Sequence, residues 1–207
     1  MSKPILAAAA ALALILSAAA PATAQLPPGV FAGEHDYKQA TAGPYALDPA
    51  HTAVIAKVSH IGYSMSVFRF DKTAGTLTWD PAQPAKSGLN VTVETASIST
   101  PVPGFAAELS GDAYLKTAAF PKATFVSTAF RQIDASHGQV DGQFTLLGKT
   151  APLTFDVELM GAGKGFMGHP RLGIEATAKI KPQDFGMSPF FTTPIQLVID
   201  AEFSKAS

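Results

Sequence analysis

Few side chains in this chain of 207 residues have the type and spacing for chemistry, and each short candidate can be weighed alone. Gly148-Lys149-Thr150 has the flavour of a phosphate-binding loop, whose backbone N–H groups and lysine hold a phosphate. That motif needs a glycine five positions before Gly148, and Gln143 stands there. It also needs a helix to follow, whereas alternating residues follow here, so the segment reads as a hairpin turn. Gly62-Tyr63-Ser64-Met65-Ser66 opens like the sharp turn that presents a hydrolase serine, but Ser66 replaces its second glycine and the α/β setting is missing. The five histidines, His35, His51, His60, His137 and His169, include no pair at the short spacing of a metal site. His51 and His60 bracket one strand, roughly 30 Å apart along an extended chain. Each reads as a hydrogen-bonded histidine at the end of a barrel, with contact to a ligand head group as the alternative. Carboxylates fall on outward positions, and no inward pair offers acid–base work.

The elements that would hold these residues are strands. Leu153, Phe155, Val157 and Leu159 alternate with Thr154, Asp156 and Glu158, which gives one dry and one wet face. Gly142, Phe144 and Leu146 do the same upstream, and Gly148 can take the positive φ that joins the two runs as a hairpin. Similar alternation runs through 51–60, 66–72, 75–79, 89–93, 123–130, 172–180 and 195–203. Phe105, Ala106 and Leu109 fit one or two helical turns, weakened at Gly111. Eight or nine antiparallel strands with one helical interruption bury their apolar faces either in a sandwich or in a closed barrel. Strands of eight to ten residues favour the barrel, which leaves no edge to aggregate. The inward residues Phe70, Phe125, Phe144, Phe155, Leu197 and Ile199 suit a packed core or a dry tunnel, and composition leaves that choice open.

Met1 to Ala24 reads as a leader: Lys3, an apolar run over Ile5 to Ala20, then Ala22-Thr23-Ala24 as a cleavage pattern before Gln25. Residues 25–44 read as a flexible linker rich in Pro, Gly and Ala, and 45–207 as one barrel domain. There is no cysteine, hence neither a disulfide nor a thiol for a lipid anchor. The expected product is exported to the periplasm without stable membrane insertion. Its leader takes away one lysine and no acid, leaving a net charge of −2 against −1 for the whole chain. That balance does not suit a phosphate backbone, so nucleic acid is not an expected partner.

A family resemblance adds to this. Leu47-Asp48-Pro49-Ala50-His51-Thr52, then His60-Ile61-Gly62 and Phe68-Arg69-Phe70, resemble the opening of the YceI-like family of secreted, lipocalin-like proteins. Phe120-Pro121 with Thr124-Phe125-Val126-Ser127, the stretch Gly142 to Pro152, and Asp184-Phe185-Gly186-Met187 are similar to later family features in the same order. Phe68 stands where the family commonly has glycine, Lys181 where an arginine is frequent, and Gly111-Asp112-Ala113-Tyr114 replaces a more aromatic segment. The resemblance implies an extended eight-stranded antiparallel β-barrel around a long isoprenoid chain, a polyprenyl pyrophosphate or a quinone tail. It implies a binding or carrier protein, not an enzyme, with no catalytic residue, metal or cofactor and with room for a homodimer. The expected wall is Val54, Ala56, Val58, Phe70, Phe125, Phe144, Phe155, Val157, Ile174, Ala176, Leu197 and Ile199. Phe105 and Leu109 are expected as a lid, with His60, Arg69 and Lys181 at the mouth. The rival readings are a lipid- or quinone-modifying enzyme that uses His60, and a structural or stress-response module with a filled barrel.

Overall fold

The computed structural model describes residues 26–205, and the expected leader lies outside them. Alternating sequence becomes ten strands: β1 (Gly43–His60), β2 (Ser64–Phe70), β3 (Thr73–Trp79), β4 (Gly88–Glu94), β5 (Ile98–Ser99), β6 (Lys122–Gln132), β7 (His137–Leu146), β8 (Lys149–Gly163), β9 (Arg171–Ile180) and β10 (Ile195–Lys205). One short helix, α1 (Phe105–Ser110), lies between β5 and β6 and stops where Gly111 leaves helical geometry. The pairing order is β10-β9-β8-β7-β6-β4-β3-β1, and β1 pairs again with β10. Eight strands therefore close a barrel, as the family resemblance implies, and the sandwich alternative falls. The long β1 takes β3 along its first residues and β2 along its last seven, with β5 beyond β2.

The barrel has two distinct ends. The tip end carries the β1–β2 turn, α1 and the 181–194 connection. The foot end carries the N-terminal segment and the β6–β7 turn. The β7–β8 turn at Leu147-Gly148 has φ of 52° and 72°, and Lys149 and Thr150 already belong to β8. The turn expected at Gly148 is thus present, but Leu147 shares its left-handed geometry.

Three bulges interrupt the alternation. Between Asp48 and Thr52 of β1, three residues face no partner on β10. Thr128 of β6 and Met160 of β8 are single extra residues at similar breaks. Each break exchanges the faces, so Tyr45 and Leu47 point inward before the bulge and Val54 and Ala56 after it. Bulges of this kind bend and twist a strand, which is what closing a sheet on itself requires.

Part of the expected linker is seated on the barrel. Glu34 and Ala162 exchange backbone hydrogen bonds of 2.9 Å, and the amide of Tyr37 donates to the carbonyl of Ala135 at 3.0 Å. The contact is possible because Gly33 and Gly161 meet backbone to backbone; a Cβ on Gly33 would lie 2.7 Å from the Cα of Gly161. Ala40 is buried, and Tyr45, 1% exposed, donates from its hydroxyl to the carbonyl of Thr41 at 2.8 Å. Glycine and proline suggested slack, but the tie comes from the barrel rather than from the segment's own periodicity.

Candidate functional site

The inward faces are set by register, and the register brings most of the expected wall together. Val157, Ala176, Ile199, Val54 and Phe70 are successive partners across β8, β9, β10, β1 and β2. One step toward the tip, Ala178, Leu197, Ala56 and Phe68 form the next row. Opposite them Phe125 pairs with Phe144, and the rings of Phe125 and Phe155 meet edge to face at 5.1 Å. Phe125, Phe144 and Phe155 come from β6, β7 and β8, whereas Ala56, Ala176 and Ala201 line the other side, with Phe68 and Phe70 of β2 beside Ala56. Phenylalanines facing alanines do not meet across the axis. A cavity of about 300 Å³ remains, within the range of small-molecule sites.

Thirteen of the seventeen expected residues line this cavity: Val54, Ala56, Val58, Phe70, Leu109, Phe125, Phe144, Phe155, Val157, Ile174, Ala176, Leu197 and Ile199. The other four do not. His60 is the exposed last residue of β1, beyond the tip end of the cavity. Arg69 has the outward position on β2, pairing with Asp71 at 2.9 Å and donating to the carbonyl of Thr52 at 3.4 Å. Lys181 is exposed and caps a short 3-10 turn. Phe105 lies outside the wall, its ring 6.1 Å from that of Phe68 in a cluster with Ile98, Leu109 and Leu115. His60 shares the parity of Val54, Ala56 and Val58 but stands past the end of the cavity, and Lys181 and Phe105 lie outside the strands, where there is no parity to read.

Other lining residues had no signal in strand alternation alone. At the tip end Tyr114, Met187 and Phe191 join the wall, with Tyr114 and Phe191 6.1 Å apart edge to face. Phe185 packs on Phe144 at 5.3 Å, which seats the 181–194 connection against this end of the barrel. At the foot end Trp79 packs edge to face against Tyr37 at 6.1 Å and against Phe130 at 6.3 Å. Its Nε1 is the one buried side-chain nitrogen or oxygen without a hydrogen-bond partner among the described residues. The surrounding aromatic faces are the only polarised groups those contacts offer it.

The cavity wall becomes polar at the β6–β7 turn, where Arg131, Asp134 and His137 line it and are exposed. These groups are engaged in holding the turn. The Asp134 carboxyl accepts from the amides of Ser136 and His137 and faces the His137 ring at 2.9 Å, which keeps it below the ordinary carboxylate range. Asp141 is held down likewise, first by the Thr154 hydroxyl and then by Arg131 at 2.6 Å.

The β1 bulge carries the remaining titratable cluster. The Asp48 carboxyl accepts from the amide of Ala50 and faces His51 Nδ1, both at 3.0 Å, while the Thr52 hydroxyl donates to the Asp48 carbonyl at 2.7 Å. Arg171 donates to both Asp48 and Glu202 and so ties β9 to the bulge and to β10. Asp48, His51 and Glu202 bring one ligand atom each within 4.8 Å of one another. A fixed guanidinium between the two carboxylates opposes a cation there, so the cluster is a structural latch. The Asp48 carboxyl is lowered chiefly by His51, against its burial, and the Arg171 guanidinium is raised chiefly by Glu202.

Comparison with known proteins agrees with this architecture. Protein YceI of Escherichia coli O157:H7 is 36% identical over 150 residues, covering 72% of this chain and 78% of that one. Burkholderia cenocepacia BcnA superposes with a TM-score of 0.67 at 21% identity, over 75% of this chain and 98% of its own. A polyisoprenoid binding domain from Saccharophagus degradans, implicated in plant cell wall breakdown, gives 0.60 at 14%, over 78% and 98%. At those identities the two structures speak for the fold. The model of the YceI-like domain matches residues 45–203, and with the E. coli relative this places the chain in the YceI-like family.

Proposed function

We propose that this protein is a periplasmic carrier that holds the chain of a long polyisoprenoid lipid inside its barrel and acts by binding rather than by turnover. The observation that carries the reading is a closed barrel whose apolar cavity of about 300 Å³ is lined by Phe125, Phe144 and Phe155 and, across from them, by Ala56, Ala176 and Ala201. Each methylene-sized group buried there contributes about 0.8 kcal/mol, so several isoprene units suffice without a dedicated polar contact. The Saccharophagus domain, called polyisoprenoid binding, has the same fold, which supports the ligand class. The periplasm is supported by the leader-like sequence of residues 1–24 and by the family. No helix among the described residues is long and apolar enough to cross a bilayer. His60, on which an enzymatic reading would lean, stands outside the cavity wall.

Native mass spectrometry and solvent extraction of the protein recovered from its host test the reading. The expected result is a bound apolar species with masses one isoprene unit apart. A ligand-free mass, together with no gain in melting temperature on adding a polyprenol or a quinone, overturns it.

A further inference from the structure

The tip of the β1–β2 hairpin is built against its own stability. Ile61 and Gly62 take φ of 54° and 81°, a geometry that favours Asn or Gly at the first position. A β-branched side chain is strained there, and this one is 75% exposed, with no packing to offset the strain. Tyr63 beside it is 89% exposed. Outward from these, Met65 and Val67 of β2, Val102 before α1 and Phe190 are exposed at the same end. Phe190 packs on Phe191, which lines the cavity, so the apolar surface continues from the barrel interior to the outside of the tip.

Charge changes along the outer face of the barrel toward the tip. On the outer face, register sets Glu158, Glu175 and Asp200 side by side across β8, β9 and β10. Like charges in direct opposition are unfavourable in a sheet. Four residues nearer the tip, roughly 13 Å along the strand, the row across β9, β10 and β1 is Lys179, Gln196 and Lys57. Lys116, Lys122, Lys149 and Lys181 are matched in number by Glu94, Glu108, Asp112 and Asp184 at this end, so its positive excess is the Lys57–Lys179 pair. An exposed apolar tip flanked by Lys57 and Lys179 is the complement of an anionic lipid surface, whose head groups attract the lysines and whose acyl boundary takes the apolar side chains.

We infer that the Ile61–Tyr63 tip and the flanking Lys57–Lys179 pair are a docking face for an anionic phospholipid bilayer. The inference rests on the carrier reading for its purpose, delivery of a lipid between membrane and barrel, and its test stands apart from that reading. Flotation with phosphatidylethanolamine–phosphatidylglycerol vesicles compares the protein with Ile61→Asn/Tyr63→Ser, with Lys57→Glu/Lys179→Glu, and with Ile133→Ser at the foot end. All four share one N-terminus, so any contribution from it cancels. Asn fits the turn better than Ile, so the tip variant keeps its fold, checked by its melting temperature. The expected result is about a tenfold or greater loss of bound protein for the tip and charge variants, little change for Ile133→Ser, and weakening by salt. Wild-type protein that stays off the vesicles, or a tip variant that floats equally well, overturns the inference. So does a wild-type dimer that the tip substitutions turn into a monomer, since a second copy would then cover the face. Bound lipid is extracted from the same samples. Lipid-loaded protein that ignores vesicles sinks the docking face alone, and lipid-free protein that floats sinks the carrier alone.

Discussion

Gly142 illustrates how narrowly one position can set the wall of this barrel. It faces inward on β7, and a Cβ there would fall within the ring of Phe125 and 2.6 Å from the carbonyl oxygen of Val126. The ring could swing away, but the carbonyl is part of the β6 ladder and cannot. Gly142→Ala is therefore expected to cost about 2–3 kcal/mol and to disturb the Phe125–Phe155 contact. Urea unfolding measures this, and a cost near zero would show that Phe125 is not lodged on the glycine. Asp48 makes a different residue-scale prediction. Its carboxyl is held below 3.8 in the folded protein, first by His51 and with help from Ala50 and Arg171. A depressed carboxyl stabilises the fold above its unfolded value and loses that contribution as pH falls through the folded one. Asp48→Asn should lower stability by about 1 kcal/mol at neutral pH. The gap should close as acid is added below the ordinary aspartate range, and a pH-independent gap would remove the charge from the explanation.

At the scale of the element, the segment before β1 is where the barrel extends further than its strands. Tyr45, on the first turn of β1's inward face, donates to the Thr41 carbonyl at 2.8 Å, and Lys205 of β10 reaches the carbonyl of Ala42 at 2.9 Å. Tyr45→Phe removes the hydroxyl and with it the bond to the carbonyl of the exposed Thr41, at a cost of about 1 kcal/mol. Limited proteolysis should then cut between residues 34 and 42 faster than in the parent, whereas unchanged cleavage would mean the segment is held by Glu34–Ala162 alone. This element was poorly legible in sequence because its partners, Ala135 and Ala162, lie about a hundred residues away. The strands themselves were legible wherever alternation ran unbroken, as from Leu153 to Leu159. It failed at bulges, where one extra residue such as Met160 reverses the faces with no mark in composition. The cavity was half legible. Parity found Phe125 and Ala176, but not that the aromatics of β6–β8 would face the alanines of β1, β9 and β10. That opposition depends on strand order, which no local pattern carries. Arg131, Asp134 and His137 were missed because they line the foot end of the cavity from the β6–β7 turn and the strand ends beside it, where alternation no longer tells inside from outside.

For the whole molecule, the decisive property is that the interior is hollow by the choice of small residues on one side. Ala176 pairs with Val157 and Ile199 and faces the space between the two sides of the barrel. In a filled core, Ala176→Phe would overpack and cost about 1–3 kcal/mol. In a barrel that keeps about 300 Å³ open, the ring enters space that a ligand tail otherwise occupies. The substitution should then leave the delipidated protein as stable as its parent or slightly more so, because new apolar surface leaves water without displacing a neighbour. It should also cut isoprenoid retention by at least about tenfold, since each excluded methylene forfeits about 0.8 kcal/mol of burial. Because a ligand stabilises only the state that binds it, adding a polyprenol should raise the parent's melting temperature and leave the variant's nearly unchanged. The two measurements separate the readings cleanly. Lost stability with retained lipid places the lipid elsewhere, lost stability with lost lipid reports only misfolding, and preserved stability with lost lipid locates the tail against β9.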